Sequence, residues 1–215
     1  GPGPVVFSAL LEPNHDVETL VLYDFEACPY CRKVREAISM LDLVVDIRPC
    51  PKRGVRFRPE LQALAPRLRV PTLVDPTAAD ESRVLQESGA IVAALFSRYG
   101  SGVPPVRARL GVVGTWTSGL ATGARPQRGK WARPSRAAAP SGRYELFSYE
   151  ASPDARLVRE VMTELEIPYR LLSSASGSAR RHEVEIIPTL RDSERHLELV
   201  GAGPIVAHLE REHSA

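Results

Sequence analysis

Two cysteines three positions apart, in Cys28-Pro29-Tyr30-Cys31, have the clearest capacity for chemistry in this chain. They follow a β-prone run and open an amphipathic helical pattern, and a CxxC in that setting is typical of a thiol redox site. Because a helix N-terminus stabilises an anion, we expect Cys28 to be partly thiolate and to act as the nucleophile. Cys31, one turn into the helix, is expected to resolve a mixed disulfide formed at Cys28.

Two other interpretations of the cysteine pair are half of a zinc site and an inert buried pair. A structural zinc site needs four ligands, and the one further cysteine, Cys50, has no suitably spaced histidine to help it. Structural cysteines rarely start a helix. We therefore expect no metal ion. The remaining metal alternative is an iron–sulfur cluster bridged between two chains by Cys28 and glutathione.

The chain contains two copies of one pattern. Residues 22–41 align without a gap with residues 146–165, and Val-Pro-Thr-Leu at 70–73 matches Ile-Pro-Thr-Leu at 187–190. A third match joins residues 91–93 to residues 205–207. Because the matches occur in the same order, chance similarity is a poor explanation, and the repeat governs the fold prediction.

Each copy has the periodicities of a βαβ unit followed by a β-hairpin and a helix, which is the thioredoxin-like layout. In the first copy we predict strands at 20–25, 43–47, 72–75 and 83–86, a helix from Cys28 and a helix at 88–99. In the second copy we predict strands at 144–149, 169–172, 189–192 and 196–199 and helices at 153–165 and 203–212. The sequence thus predicts an α/β fold of two thioredoxin-like domains in tandem, 1–100 and 143–215, joined by a linker over 101–142.

The segment between the copies differs from them in charge. Residues 101–143 hold eight Arg or Lys and no Asp or Glu, whereas the whole chain has 28 basic and 26 acidic residues. We expect this segment to pack partly against the more acidic domains. A basic run with no fold to present it argues only weakly for nucleic acid, so no nucleic-acid partner is predicted.

The bulk composition limits the class of protein. Hydrophobic residues make up 43% and charged residues 25% of the chain, as in a globular domain. No run of about 18 apolar residues occurs, so no transmembrane segment is predicted. Three cysteines do not make a secreted disulfide framework and favour a reducing compartment. The first four residues, Gly-Pro-Gly-Pro, resemble a processed end and do not enter the fold prediction.

The first copy resembles the glutaredoxins and the N-terminal domain of the glutathione S-transferases. Its Cys-Pro-Tyr-Cys is similar to the dithiol glutaredoxin motif, Val70-Pro71 resembles their cis-proline, and Glu87-Ser88 resembles the transferase Glu-Ser pair. A plant, algal and bacterial family with two such domains in tandem is also similar, and the segments that resemble it are residues 31–36, 41–43, 48–51, 74–76 and 157–160. This resemblance covers nearly the whole chain. Since the plant members are mostly plastid-targeted, the resemblance implies a chloroplast location, with the cytoplasm as the alternative.

The resemblance also implies a binding site for glutathione as co-substrate, formed by Tyr30, Val70, Pro71, Glu87 and Ser88. The Pro71 peptide bond would be cis, and the Val70 main chain would pair with the substrate as an added strand. Ser88 would cap the helix that follows and offer N–H groups to a carboxylate, while Glu87 would bind an ammonium group. The oligomeric state stays open.

The second copy departs from those families. Residues 152–155, Ser-Pro-Asp-Ala, replace the dithiol, and residues 200–202, Val-Gly-Ala, stand where Glu-Ser would be. Ser152 is still a good N-cap, so we expect this copy to be structural or partner-binding. We expect no all-helical transferase C-terminal domain, and hence no conjugation of electrophiles.

The sequence predicts a glutathione-linked thiol–disulfide oxidoreductase acting on protein or small-molecule disulfides. Cys28 attacks a disulfide or glutathionylated thiol, and Cys31 or glutathione releases the product. The alternative is a non-catalytic module that binds glutathione or a partner with the same fold. The electron donor and the physiological substrate are not specified by the sequence.

Cys50 supplies the first test. It lies between two prolines after the second predicted strand, and it either exchanges with the dithiol or fills a tight turn as a buried thiol. We expect Cys28 and Cys31 to form the only intramolecular disulfide and Cys50 to stay a thiol. Mass mapping of the oxidised protein checks this, and a peptide that links Cys50 to either residue would contradict it.

Overall fold

The computed structural model describes residues 5–6, 19–65, 67–79, 83–100, 128–136 and 141–215. The strands are β1 (Val5–Val6), β2 (Leu20–Asp24), β3 (Val44–Pro49), β4 (Thr72–Val74), β5 (Val84–Gln86), β6 (Tyr144–Ser148), β7 (Tyr169–Ser173), β8 (Thr189–Asp192) and β9 (Leu197–Val200). The helices are α1 (Pro29–Met40), α2 (Phe57–Leu64), α3 (Ser88–Tyr99), α4 (Pro153–Glu164) and α5 (Ala202–His213), with a 3₁₀ turn at Ala179–His182. The mixed α/β fold predicted from the sequence is confirmed. Within the described ranges, no helix has the length and apolar character needed to cross a bilayer.

The two long helices that follow β2 and β6 start in the same way. Cys28 precedes α1 and its Sγ accepts a hydrogen bond from the Cys31 N–H, while Ser152 precedes α4 and its Oγ accepts one from the Ala155 N–H. In each helix a proline takes the first position, where a missing N–H removes no helical hydrogen bond. Local capping therefore fixes where both helices begin.

The strands form one continuous sheet in the order β1-β9-β8-β6-β7-β3-β2-β4-β5. Each half contains a parallel pair, β2–β3 or β6–β7, flanked by antiparallel strands. The halves meet where β3 pairs antiparallel with β7. The repeat predicted two sets of strands but not this junction, because no local pattern specifies the partner of an edge strand.

The register at the junction relates the halves by an approximate two-fold axis. Asp46 lies opposite Arg170, and 170 − 46 = 124, the offset that also aligns residues 22–41 with 146–165. Their side chains form an ion pair, with Arg170 Nε 2.9 Å from Asp46 Oδ1. Because antiparallel neighbours in one sheet are related by an axis perpendicular to it, α1 and α4 lie on the same face. Since β2 and β6 run in opposite directions, the loops that follow them leave the sheet at opposite ends of the strands.

A buried ion cluster lies between α1 and α4. Arg35 of α1 forms ion pairs with Asp24, Glu26 and Glu150, and Arg159 of α4 forms ion pairs with Glu26 and Glu150. The five side chains are between 1% and 6% exposed. Each arginine takes a carboxylate from the other half in a two-pronged contact, so charge as well as apolar packing joins the halves.

The basic segment between the copies contacts both halves where the structure describes it, at 128–136. The Ala27 N–H donates to the Gly129 carbonyl over 3.1 Å. Arg133 forms ion pairs with Glu164 at 2.9 Å and with Glu210 at 2.8 Å. This part of the segment therefore packs against acidic side chains, as its charge predicted. The remaining residues of the predicted linker, 101–127 and 137–140, lie outside the described part of the chain.

The helix α2 and the 3₁₀ turn were not predicted. Leu61 is the one fully buried residue of α2, so this short helix gives almost no apolar periodicity. It covers the face of the sheet opposite α1 and packs over Tyr23 and Cys50. In the second copy, where the matched motifs lie seven residues closer together, the 3₁₀ turn occupies the corresponding stretch of chain.

The ion cluster leads to a stability prediction. We expect Arg159→Met to lower the free energy of unfolding by about 3–5 kcal/mol, because it leaves two buried carboxylates with one cation fewer. Urea unfolding followed by circular dichroism measures this. The control is Arg195→Met, whose side chain is 56% exposed, and its expected change is within about 1 kcal/mol. Equal losses in the two variants would contradict the prediction.

Candidate active site

The dithiol, the cis-proline and the start of α3 lie at one edge of the sheet. Strand β2 ends at Asp24 and leads directly to Cys28. Tyr23 of β2 lies opposite Thr72 of β4, and Thr72 lies opposite Gln86 of β5. The residues just before β4 and just after β5 therefore reach the same edge as the dithiol.

That topology brings together the segments that carry the predicted glutathione-binding residues. The Val70–Pro71 peptide bond is cis, and so is the matching Ile187–Pro188 bond in the second copy. None of the described residues forms a hydrogen bond with the Val70 main chain. Tyr30 is 60% exposed beside the dithiol. In the described part of the chain, the main-chain polar groups of Val70 are thus available to pair with an extended chain beside the dithiol.

The Cys28 thiol is set up to ionise. The thiol of Cys31 lowers the pKa of Cys28 by hydrogen bonding, and burial opposes this effect. The main-chain N–H groups of Cys31 and Tyr30 and the charge of Arg35 lower it further. The Cys31 N–H lies 3.3 Å from Cys28 Sγ. This capping geometry stabilises a thiolate at the N-terminus of α1.

Cys31 has the opposite character. Its side chain is fully buried, and burial together with the neighbouring Cys28 raises its pKa well above the usual range. The proton therefore stays on Cys31 while Cys28 ionises. A thiolate that accepts a hydrogen bond from a neighbouring protonated thiol can attack a disulfide, and the second thiol can then resolve the mixed disulfide.

The residues at the start of α3 correct one expectation. Ser88 does not cap α3; it is the first residue of the helix, and Glu87 precedes it at φ +75° without a side-chain capping bond. Because the chain turns at Glu87, the non-helical position falls one residue earlier than predicted. The exposed Glu87 carboxylate pairs with Arg69 at 2.9 Å. In the second copy Gly201 makes the same turn at φ +83° and offers no carboxylate.

Cys50 is separated from the dithiol. Its side chain is fully buried beneath α2, with Tyr23, Leu61 and Ala65, on the face of the sheet opposite α1. Burial raises the pKa of the Cys50 thiol far above its usual value. All three cysteines are free thiols. Cys50 therefore behaves as a packing residue in this arrangement.

The sequence analysis missed four charged residues near the site: Asp24, Glu26, Arg35 and Glu150. Arg35 lies one turn beyond Cys31 in α1, and its charge favours the Cys28 thiolate. The sequence did contain evidence for these residues, because Glu26 and Arg35 recur as Glu150 and Arg159 in the gap-free alignment of the two copies. In the described part of the chain, no three His, Cys, Asp or Glu side chains are placed to hold a metal ion.

Comparison with known proteins identifies the family. A family model described as glutathione S-transferase, N-terminal domain, matches residues 22–104 and again residues 146–215. The chain belongs to this family. Both matched segments carry the βαβ unit, hairpin and final helix described above. No curated protein matches the chain significantly.

Several solved structures resemble part of this chain. Isozyme E7 from Drosophila melanogaster is 31% identical over 39% of this chain and 36% of its own, with a TM-score of 0.33. A delta-class enzyme from Nilaparvata lugens is 31% identical over 38% and 37%, with a TM-score of 0.32. Ure2p in complex with S-p-nitrobenzylglutathione is 26% identical over 40% and 36%, with a TM-score of 0.34. The match spans little more than a third of each of these proteins.

The hydrogen bond between the two thiols can be tested through the pH dependence of alkylation. We expect Cys31→Ala to raise the pH midpoint of Cys28 alkylation by about one unit, because the thiolate loses a donor that contributes about 1.4 kcal/mol. Cys31→Ser keeps a donor and should shift the midpoint less. Mass spectrometry of the Cys28 peptide after iodoacetamide treatment measures the rate. Cys50→Ala is the control, and an equal shift there would contradict this account.

Proposed function

We propose that this protein is a glutathione-linked thiol–disulfide oxidoreductase that uses Cys28 and Cys31. The observation that carries the proposal is the pairing of a thiolate-prone Cys28 with a buried, protonated Cys31 at one helix start. We further propose that the protein is built from two thioredoxin-like domains in tandem, 1–100 and 143–215, with 101–142 as the linker. Membership of the glutathione S-transferase N-terminal domain family supports glutathione as the co-substrate.

The proposed reaction begins with attack of the Cys28 thiolate on the glutathione sulfur of a mixed disulfide. A Cys28–glutathione disulfide forms and the substrate leaves as a thiolate, which takes a proton from solvent. A second glutathione thiolate then attacks the glutathione sulfur, giving glutathione disulfide and regenerating Cys28. In sum, the mixed disulfide and one free glutathione give the substrate thiol and glutathione disulfide, so the substrate sulfur is reduced while the sulfur of the attacking glutathione is oxidised. For a protein disulfide, Cys28 bonds to one substrate sulfur while the other leaves as a thiolate. Cys31 then gives up its proton and attacks the sulfur of Cys28, the remaining substrate sulfur leaves as a thiolate, and two glutathione molecules later reduce the Cys28–Cys31 bond, giving glutathione disulfide.

The proposed glutathione position follows from the groups at this edge of the sheet. The Val70 main chain pairs with the cysteinyl part of the tripeptide as a short antiparallel strand. The N–H groups at the start of α3, from Ser88 onward, receive the γ-glutamyl carboxylate. The Glu87 carboxylate receives the ammonium group, which requires it to exchange its contact with Arg69. Pro71 and Tyr30 form the apolar sides of the site.

A second candidate is a non-catalytic module that binds glutathione or a protein partner. The observation in its favour is that Cys28 is only 5% exposed, so an incoming disulfide has little access to the sulfur. The loss of both cysteines in the second copy points the same way. In this case glutathione would bind, with an affinity that depends on Glu87, without turnover.

Absence of conjugation and the chloroplast or cytoplasmic location stay predictions in both cases.

Turnover distinguishes the two candidates. We expect the protein to reduce a small glutathione mixed disulfide with glutathione as donor, and Cys28→Ser to lower kcat/KM at least about 100-fold, because the nucleophile is removed. The release of glutathione disulfide, measured with a coupled reductase, follows the reaction. Ser152→Ala changes the equivalent residue of the second copy and is the matched control, with unchanged activity expected.

The outcomes separate cleanly. Equal rates for the wild type and Cys28→Ser would overturn the oxidoreductase proposal. Calorimetric binding of glutathione that weakens in Glu87→Gln, with no turnover in any variant, would establish the binding module instead. Cys31→Ser keeps the reaction with glutathione mixed disulfides and loses the reduction of protein disulfides if Cys31 is the resolving thiol.

A further inference from the structure

Glu150 belongs to the second copy but contacts the helix that begins at Cys28. Its Oε2 lies 2.8 Å from Arg35 Nε and its Oε1 lies 3.2 Å from Arg35 Nη2. Oε1 is also 3.8 Å from Arg32 Nε, and the Glu150 N–H donates to Ser39 Oγ over 3.2 Å. Positions 32, 35 and 39 share one face of α1. Glu150 therefore spans two turns of the helix that carries the dithiol.

Arg35 connects Glu150 to the dithiol. It lies seven residues after Cys28 and four after Cys31, and its side chain is 1% exposed. Its guanidinium also contacts the Asp24 carboxylate and the Glu26 carbonyl. Water barely reaches these side chains, so the charge of Arg35 is little screened where it favours the Cys28 thiolate.

The ion cluster is symmetric except at one position. Arg35 and Arg159 are equivalent, as are Glu26 and Glu150. In the second copy Arg159 contacts the hydroxyl of Ser148, whereas in the first copy Arg35 contacts the carboxylate of the equivalent residue, Asp24. The extra carboxylate lies in the half that holds the dithiol, where burial raises the pKa of Asp24.

We propose that Glu150 is a positioning residue of the redox site, through which the second copy holds Arg35 in place, offsets part of its charge and so sets the reactivity of Cys28. The copy that lost its own dithiol thereby takes part in the chemistry of the other. The proposal rests on the proposed function only in treating Cys28 as the reactive thiol.

Several charged groups lie on the elements around Cys28, and the test must distinguish the effect of Glu150 from theirs. Helix α1 carries Cys31, Arg32, Lys33 and Arg35; β2 and the following turn carry Asp24 and Glu26; the loop before β4 carries Arg69; the 128–136 segment carries Lys130; and the second copy supplies Glu150. Arg35 is the one cation of this set that both favours the Cys28 thiolate and contacts Glu150 in a two-pronged ion pair.

The experiment is the pH profile of Cys28 alkylation in Glu150→Gln. Removing this negative charge leaves the charge of Arg35 less neutralised, so the thiolate is favoured and the midpoint falls by about half a pH unit, about three times more thiolate below the midpoint. Glu145→Gln is the matched control, because it is the same substitution five residues earlier in the same copy. We expect its midpoint to stay within about 0.1 unit of the wild type.

A second variant keeps the proposal testable if Glu150→Gln does not fold. Glu150→Asp keeps the charge but withdraws the carboxylate from Arg35, and its midpoint should fall by a smaller amount. An unchanged midpoint in whichever variant is folded overturns the proposal. This holds even if the midpoint is constant because Asp24 ionises and replaces the lost negative charge. A raised midpoint also overturns the proposal. A lowered midpoint in a protein without oxidoreductase turnover supports the role of Glu150 and overturns the proposed function, so the two failures are distinguishable.

Discussion

Two guanidinium groups and three carboxylates share a space between α1 and α4 that water barely reaches. Each of these ions loses its hydration on folding, and the loss is recovered only when every arginine meets its carboxylates at hydrogen-bond distance. Each arginine has carboxylate partners in its own half, but Arg35 also pairs with Glu150 and Arg159 with Glu26, so each half completes the ion pairs of the other. The placement of the helices, the antiparallel junction of β3 and β7 and the surroundings of the dithiol all have to be compatible with this cluster.

Local features of the fold were largely predictable from sequence. The strands and helices with strong apolar periodicity, the cap at Cys28 and the hairpins all have signatures within about a dozen residues. The continuous sheet, the helix α2 and the role of Arg35 were not predicted. The junction depends on two edge strands 124 residues apart, and α2 has too few buried positions to give a pattern. From sequence, a charged residue such as Arg35 is predicted to be exposed, since the burial of an ion depends on partners that are distant along the chain.

The second copy separates structural requirements from chemical ones. Ser152 caps its helix as Cys28 does, and Gly201 makes the turn that Glu87 makes at positive φ. A glycine adopts that conformation without strain, whereas a residue with a side chain loses about 1 kcal/mol or more. The fold therefore accepts serine and glycine at these positions. The architecture therefore does not require the cysteine and the strained glutamate of the first copy, whereas the proposed function gives both a role.

The junction of β3 and β7 also has a consequence for how the halves associate. Two separate chains meeting at such a pair of edges would part on dilution, because their association is bimolecular. Here one polypeptide supplies both strands, so the two halves associate within one molecule, and each meets the other at an effective concentration that dilution does not change. The contact between Glu150 and α1 is therefore made within one molecule, and its formation does not depend on the concentration of the protein.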